Sequence, residues 1–314
     1  MIEIPTKGKV DCIKKGIEEG NPHLDLLIAS YVDSFFDGLS VYKIDYKSLP
    51  NDRSFMDVVV KGIEDIALLK DDFLGFLRVI VKSKQYCTSE LFIDFFERLL
   101  QFYNNNGISL YTAGDIASYS ADNYRFFNQD LFISFVAQLI AAQRFDVLSG
   151  VLSARLIVTS SRRFESVESV NYIRFREYNY TLNEFVNDTY PNKHFSVTAD
   201  YVKRFASPTI PFEELVKADI LLYYLSVLYP GDSFLDRFWY PELAPYNHQV
   251  QVLPKLISRR YFDASKCLFG VTSVEEYKKL LLDLTDSINR LGAGIFGVPS
   301  IKEALLYETV ATVA

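Results

Sequence analysis

Residues 88–103 read TSELFIDFFERLLQFY. Leu91, Phe92, Phe95, Phe96, Leu99, Leu100 and Tyr103 recur three and four apart, the spacing that lines one face of a helix. Glu90, Asp94, Glu97, Arg98 and Gln101 fill the opposite face. Thr88 or Ser89 is placed to cap the first unpaired amides. Asn104-Asn105-Asn106-Gly107 follows, and Asn and Gly tolerate the left-handed backbone in which helices end.

The same period recurs outward from this stretch. Ser54-Phe55-Met56-Asp57 reads as a capping box ahead of Val58 to Leu69. Asp71-Asp72 opens a segment running through Lys84, and Asn21-Pro22 opens one carrying Leu24, Leu27, Ile28, Tyr31, Val32, Phe35 and Phe36. Residues 128–144 hold Leu131, Phe132, Phe135, Leu139 and Ile140 at helical spacing. Glu213 and Glu214 follow Pro211 in the first turn of a helix that ends near Tyr229, before Pro230-Gly231. Thr272-Ser273-Val274-Glu275-Glu276 offers two overlapping capping boxes before Tyr277 to Leu291.

Strand signals are thin. Arg155 to Thr159 reads as one short strand, and Val170 to Phe175 and Gln249 to Leu253 alternate in part. The expected fold is therefore mainly α: a multi-helix array or bundle with at most a small β-hairpin or sheet in the C-terminal half. Polar stretches at 104–122, 159–170 and 186–197 mark seams. They suggest an N-terminal helical subdomain (1–105) and a C-terminal, mainly helical one (106–314), or one continuous domain. No repeated consensus at a fixed period supports a named solenoid.

The 314 residues are 49% hydrophobic and 23% charged, which excludes a disordered chain. Forty acidic against 33 basic side chains give a net charge of −7, unsuited to broad nucleic-acid binding, which needs a cationic surplus. The longest apolar runs, near 131–137 and 220–225, fall short of the ~20 residues a membrane span needs. Three separated cysteines, Cys12, Cys87 and Cys267, read as reduced thiols in the cytoplasm.

Motifs for chemistry are few. Gly292-Ala293-Gly294-Ile295-Phe296-Gly297 matches the dinucleotide-binding glycine pattern, but a helix precedes it where that pattern needs a strand. A linker between two helices explains it more simply. His23, His194 and His248 stand in no metal-ligand spacing, and no metal or cofactor is expected. Cys267 follows His248 within 20 residues without a protease signature. Asp219 falls between Leu215, Val216, Ile220 and Tyr223 in helical projection; if buried, its carboxylate needs Tyr223 or an arginine as partner, or a raised pKa.

Two constellations remain. Arg174, Phe175 and Arg176, with Trp239 and Tyr240, combine the residue types that anchor protein interfaces. Tyr277, Leu281, Leu284, Ile288 and Leu291 repeat at 4-3-4-3 spacing, a short heptad seam suited to association with a second helix. The leading expectation is a soluble helical protein–protein interaction or regulatory module, a subunit of a larger or homo-oligomeric assembly that meets another protein or a copy of itself, with an enzymatic role left open. The alternatives are an enzyme acting on a phosphodiester or nucleotide through distant acids such as Asp219, and a single-stranded nucleic-acid binder using residues 155–204.

Overall fold

The computed structural model describes residues 6, 8–103, 119–160, 166–189, 195–230, 238–290 and 295–314. The stop at Asn104–Gly107, the boundary near 106, Gly292 to Gly294, His194, Leu291, and Arg162, Arg163 and Phe164 lie outside these residues.

The stretch that opened the sequence reading folds as a helix, Ser89–Leu100 (α5), and the side chain of Thr88 accepts from the Leu91 amide. Before it come α1 (Lys9–Glu19), α2 (Leu24–Ser40), α3 (Phe55–Ile66) and α4 (Leu68–Ile80). After it come α6 (Asp122–Ala141) and α7 (Phe145–Ser153). An antiparallel hairpin follows, β1 (Leu156–Ser160) and β2 (Ser166–Val170), with Leu156 opposite Val170 and Val158 opposite Glu168. The chain continues through α8 (Tyr180–Thr189), α9 (Val197–Arg204), α10 (Phe212–Leu228), α11 (Arg259–Ser265), α12 (Val274–Arg290) and α13 (Ile301–Ala304). The fold is mainly α with one two-stranded hairpin in the C-terminal half. Among the described residues no helix is long and apolar enough to cross a membrane.

Several local expectations are corrected. Val170 to Phe175 is not a strand. Only Val170 pairs, and Tyr172–Phe175 turns as a 3-10 helix because the Asn171 side chain accepts from the Ile173 amide. Residues 249–253 form no strand either; they are tied to the C-terminal region through Val252 N to Ala304 O. Helix α4 begins at Leu68, before the acids expected to open it, because only Ala67 separates it from α3. The Ser54 hydroxyl does not cap α3; it donates to Asp52 instead.

The centre of the molecule is α6, which packs against α3, α4, α7 and α10. It starts six residues earlier than expected, at Asp122. Its first half is polar, yet Asp122, Asn123, Asn128, Gln129 and Asp130 are all buried. A helix enclosed on every side loses the one-faced pattern that marks surface helices. Several of its polar groups are paired: Asn123 Nδ2 donates to Tyr42 O, Asn128 Nδ2 to Leu99 O, and Lys70 Nζ to Asp130 at 2.6 Å, while Asn123 Oδ1, Asn128 Oδ1, Gln129 Nε2 and Asp130 Oδ1 are buried without a hydrogen bond among the described residues. Around α6, one cluster of buried apolar side chains runs from Ile13 to Val310, on both sides of residue 106. Its densest part is aromatic, with Phe96 meeting Phe132, Phe135 and Phe175 at 4.9–5.2 Å between ring centres.

Candidate functional site

Of the five residues expected to anchor a partner, two are core. Phe175 and Trp239 are each 0% exposed. Phe175 stacks on Phe132 at 4.6 Å, and Trp239 lies 6.0 Å from Phe132 and 6.2 Å from Tyr172. Neither ring reaches solvent, so neither can meet another macromolecule; they fill the space between α6, α10 and the 172–175 turn.

Trp239 is held from below by Asp219 of α10. The indole Nε1 donates to Asp219 Oδ1 at 2.6 Å, and the Leu243 amide donates to Oδ2 at 2.8 Å. These partners replace the expected Tyr223 or arginine; the Tyr223 hydroxyl is buried without a hydrogen-bond partner among the described residues. Burial pushes the Asp219 carboxyl up to about 7, against the opposing pull of the two donated hydrogen bonds. Fully buried and with both oxygens engaged, Asp219 is a peg that pins residues 239–243 to α10.

The other three anchors stay near the surface. Arg174 pairs with Glu177 at 2.9 Å, and Glu177 also meets Arg125 at 2.7 Å. Arg125 in turn pairs with buried Asp122, whose other oxygen accepts from the Thr181 amide opening α8. Burial raises the Asp122 carboxyl above its usual range, and Arg125 opposes that. Arg176 pairs with Glu242 at 2.7 Å, and its guanidinium lies 5.0 Å from the centre of the half-exposed Tyr240 ring. The arginines therefore position the loop 174–178 and the Tyr240 ring.

What this scaffold presents is aromatic. Tyr240 and Glu242 line a cleft of about 300 Å³ together with Asn183 and Asn187 of α8, Phe195, Pro245 and Phe296. Phe195 is 76% exposed and Phe296 71%, and their rings stack with centres 6.2 Å apart. Exposed Tyr178 and Tyr180 meet edge to face at 4.7 Å, beside the Arg176–Glu242 pair. The Asn187 side chain, on the cleft wall, is exposed and makes no hydrogen bond within the described residues.

Backbone geometry fixes Phe296. Gly297 has φ +83°, and a Cβ built on it would lie 1.9 Å from the Ala244 carbonyl oxygen, so only glycine fits. Its carbonyl accepts from Asn247 Nδ2 at 3.0 Å. The last glycine of the 292–297 pattern thus seats the Phe296 turn against the 244–247 turn.

Phe195 and Phe296 escaped the sequence reading. They are 101 positions apart, each in a polar or glycine-rich setting, and no helical stripe joins them. The signal available was only that each is a large ring outside any apolar period.

The heptad seam is also corrected. Tyr277, Leu281 and Leu284 are buried within this chain, and Ile288 packs partly against the same core. Tyr277 rests edge-on against Phe262 and Phe269, and its hydroxyl donates to Leu305 O at 2.9 Å. Tyr277, Leu281 and Leu284 of the stripe are thus covered by the chain's own α11 and C-terminal residues, and Leu291 lies outside the described residues.

Among the described residues no group of three or more His, Cys, Asp or Glu side chains is placed to hold a metal ion. Comparison with family models, with curated proteins and with solved structures finds no match to this chain.

Proposed function

We propose that the chain is a helical protein-interaction module, regulatory in role, that receives a partner polypeptide on the aromatic face formed by Phe195, Tyr240 and Phe296. The observation that carries this reading is the stacked, exposed Phe195–Phe296 pair standing over a cleft with an unused amide at Asn187. Aromatic rings supply most of the energy of protein contacts at low entropic cost, and exposed apolar surface is otherwise unfavourable. A side-chain amide offers both an NH₂ donor and a carbonyl acceptor, which suits an extended backbone. Three unpaired cysteines, Cys12, Cys87 and Cys267, agree with a reducing, cytoplasmic setting.

The nucleic-acid alternative has less support, because Arg174 and Arg176 already face Glu177 and Glu242 and offer little net charge to phosphates. The hydrolytic alternative has less support at the acid it named, Asp219, because both of its oxygens are engaged inside the core.

The test is a photoreactive phenylalanine analogue at position 240, irradiated in native lysate, with light scattering on the purified protein. The expected result is a discrete adduct, with another protein or a second copy, whose yield falls about ten-fold in a Phe195→Ser/Phe296→Ser double variant. An adduct indifferent to that double change, or none at all, rejects the proposal.

A further inference from the structure

A cleft of about 320 Å³ lies between α10 and α12. Two neighbouring tyrosines of α10, Tyr223 and Tyr224, form one wall. Thr285, Ile288 and Asn289, three and four apart on one face of α12, form another. The link 295–300 and the first residue of α13 close it. That link is turn and irregular backbone held at two carbonyls: the Tyr224 hydroxyl donates to Pro299 O at 2.6 Å, and Asn247 Nδ2 donates to Gly297 O at 3.0 Å. Irregular backbone lacks the ridges with which a helix would fill the groove, so space stays between the link and α12. The volume stands at the lower end of the range for small-molecule sites. Among the described lining residues the cleft shares only Ile295 with the aromatic one.

Of its four hydroxyls, three have given up their protons to the protein. Tyr224 donates to Pro299 O, Thr285 to Leu281 O at 2.7 Å, and Ser300 to Glu303 Oε2 at 2.7 Å. The fourth, on Tyr223, has no hydrogen-bond partner among the described residues, although Tyr223 is only 3% exposed. A desolvated O–H without an acceptor destabilises the fold, and a ligand atom accepting from it would remove that cost.

The lining narrows the ligand. No described lining residue bears a formal charge, so an ionised group entering the cleft would lose hydration with no countercharge to offset it. Ile288, Ile295, Val298, Pro299 and the two tyrosine rings make the walls mainly apolar. Burial raises the Tyr223 phenol above its usual pKa, so it keeps its proton and offers a donor. A carbonyl oxygen accepts from such a donor and brings no further N–H or O–H for the site to satisfy. Exposed Asn289 and Ser300 bring the cleft to the surface. We infer that it binds a small, neutral, mainly apolar carbonyl compound whose oxygen accepts from the Tyr223 hydroxyl.

The experiment uses the full chain and the neutral fluorescent ketone prodan, a propionyl dimethylaminonaphthalene whose emission changes on leaving water. Dimethylaminonaphthalene, which lacks the carbonyl, and naphthoate, which carries a charge, are the controls. Prodan is expected to bind at micromolar concentration, and naphthoate about ten-fold or more weakly. Tyr223→Phe removes the hydroxyl alone. It should weaken prodan about five-fold or more and dimethylaminonaphthalene by about two-fold or less. The melting temperature of the free variant should hold or rise, because no internal hydrogen bond is lost. Val298→Trp should fill the cleft and abolish binding of both compounds, and Thr285→Phe is the second occluding variant should the first melt early. Phe195→Ser should leave prodan binding unchanged, which separates this cleft from the aromatic face. The assignment is overturned by any of the following: no binding of prodan, naphthoate as tight as prodan, or equal change for ketone and carbonyl-free compound in Tyr223→Phe. A lower melting temperature in that variant, loss of binding in Phe195→Ser, or unaltered binding in a folded occluded variant would overturn it equally.

Discussion

Single side chains show how this fold tolerates polarity in its interior. Lys70 and Asp130 are both almost fully buried and meet at 2.6 Å. Burial alone pushes the Asp130 carboxyl up, and the ammonium opposes that push. Lys70→Met leaves the carboxyl without a counter-charge, and urea unfolding should show a loss of about 3–5 kcal/mol. The double change Lys70→Met/Asp130→Leu should recover most of that loss. Asp219 behaves differently because its partners are neutral donors. Asn in its place presents an NH₂ to one of two N–H groups, so Asp219→Asn should cost about 1–3 kcal/mol. The pH dependence has a definite sign. A carboxyl raised from 3.8 to about 7 on folding contributes stability fully present below its unfolded pKa and lost as pH rises through the folded one. The stability gap between wild type and Asp219→Asn should therefore be wider at about pH 5 than at about pH 8. A gap independent of pH would contradict this account.

At the scale of elements, legibility followed solvent. Helices with one wet face announced themselves: α5 keeps its apolar stripe, and Thr88 caps it, so Thr88→Ala should lower the melting temperature through about 1 kcal/mol of lost capping. Ser273 caps α12 through the Glu276 amide, as its sequence implied. Helix α6 was only half readable, because Asp122 to Asp130 look like a solvated stretch and their partners, Tyr42, Leu99, Lys70 and Thr181, come from distant segments. The heptad stripe of α12 was real, but a stripe does not name its occupant, and here Tyr277, Leu281 and Leu284 meet the chain itself. The same limit applied to the candidate site. Residue type put Arg176 and Tyr240 in one expected interface set, and the ring and the guanidinium lie 5.0 Å apart. It did not separate the rings that face inward, Phe175 and Trp239, from those that face outward, because that depends on which side of the 174–178 and 238–246 turns meets α6 and α10. Gly297 joins the outward set to the scaffold, so Gly297→Ala should disturb Phe296 and reduce cross-linking at position 240 more than it lowers thermal stability.

Across the whole molecule, apolar contacts link the described segments without a break from Ile13 to Val310. Separately expressed 1–105 and 106–314 should each expose the surfaces that α5 and α6 now share, and neither should give a sharp thermal transition; mixing them should restore one if the halves reassociate. The aromatic face sits at the periphery of that continuous interior, so Phe195→Ser/Phe296→Ser should leave the melting temperature within a few degrees of wild type. Enclosure of α6 has a further consequence in time. Its amides can reach water only when the neighbours around it part, and those neighbours belong to sequence regions far apart. Deuterium should therefore enter this helix last, on the timescale of global opening rather than local fraying, and its exchange rate would serve as an internal clock for the unfolding of the entire chain.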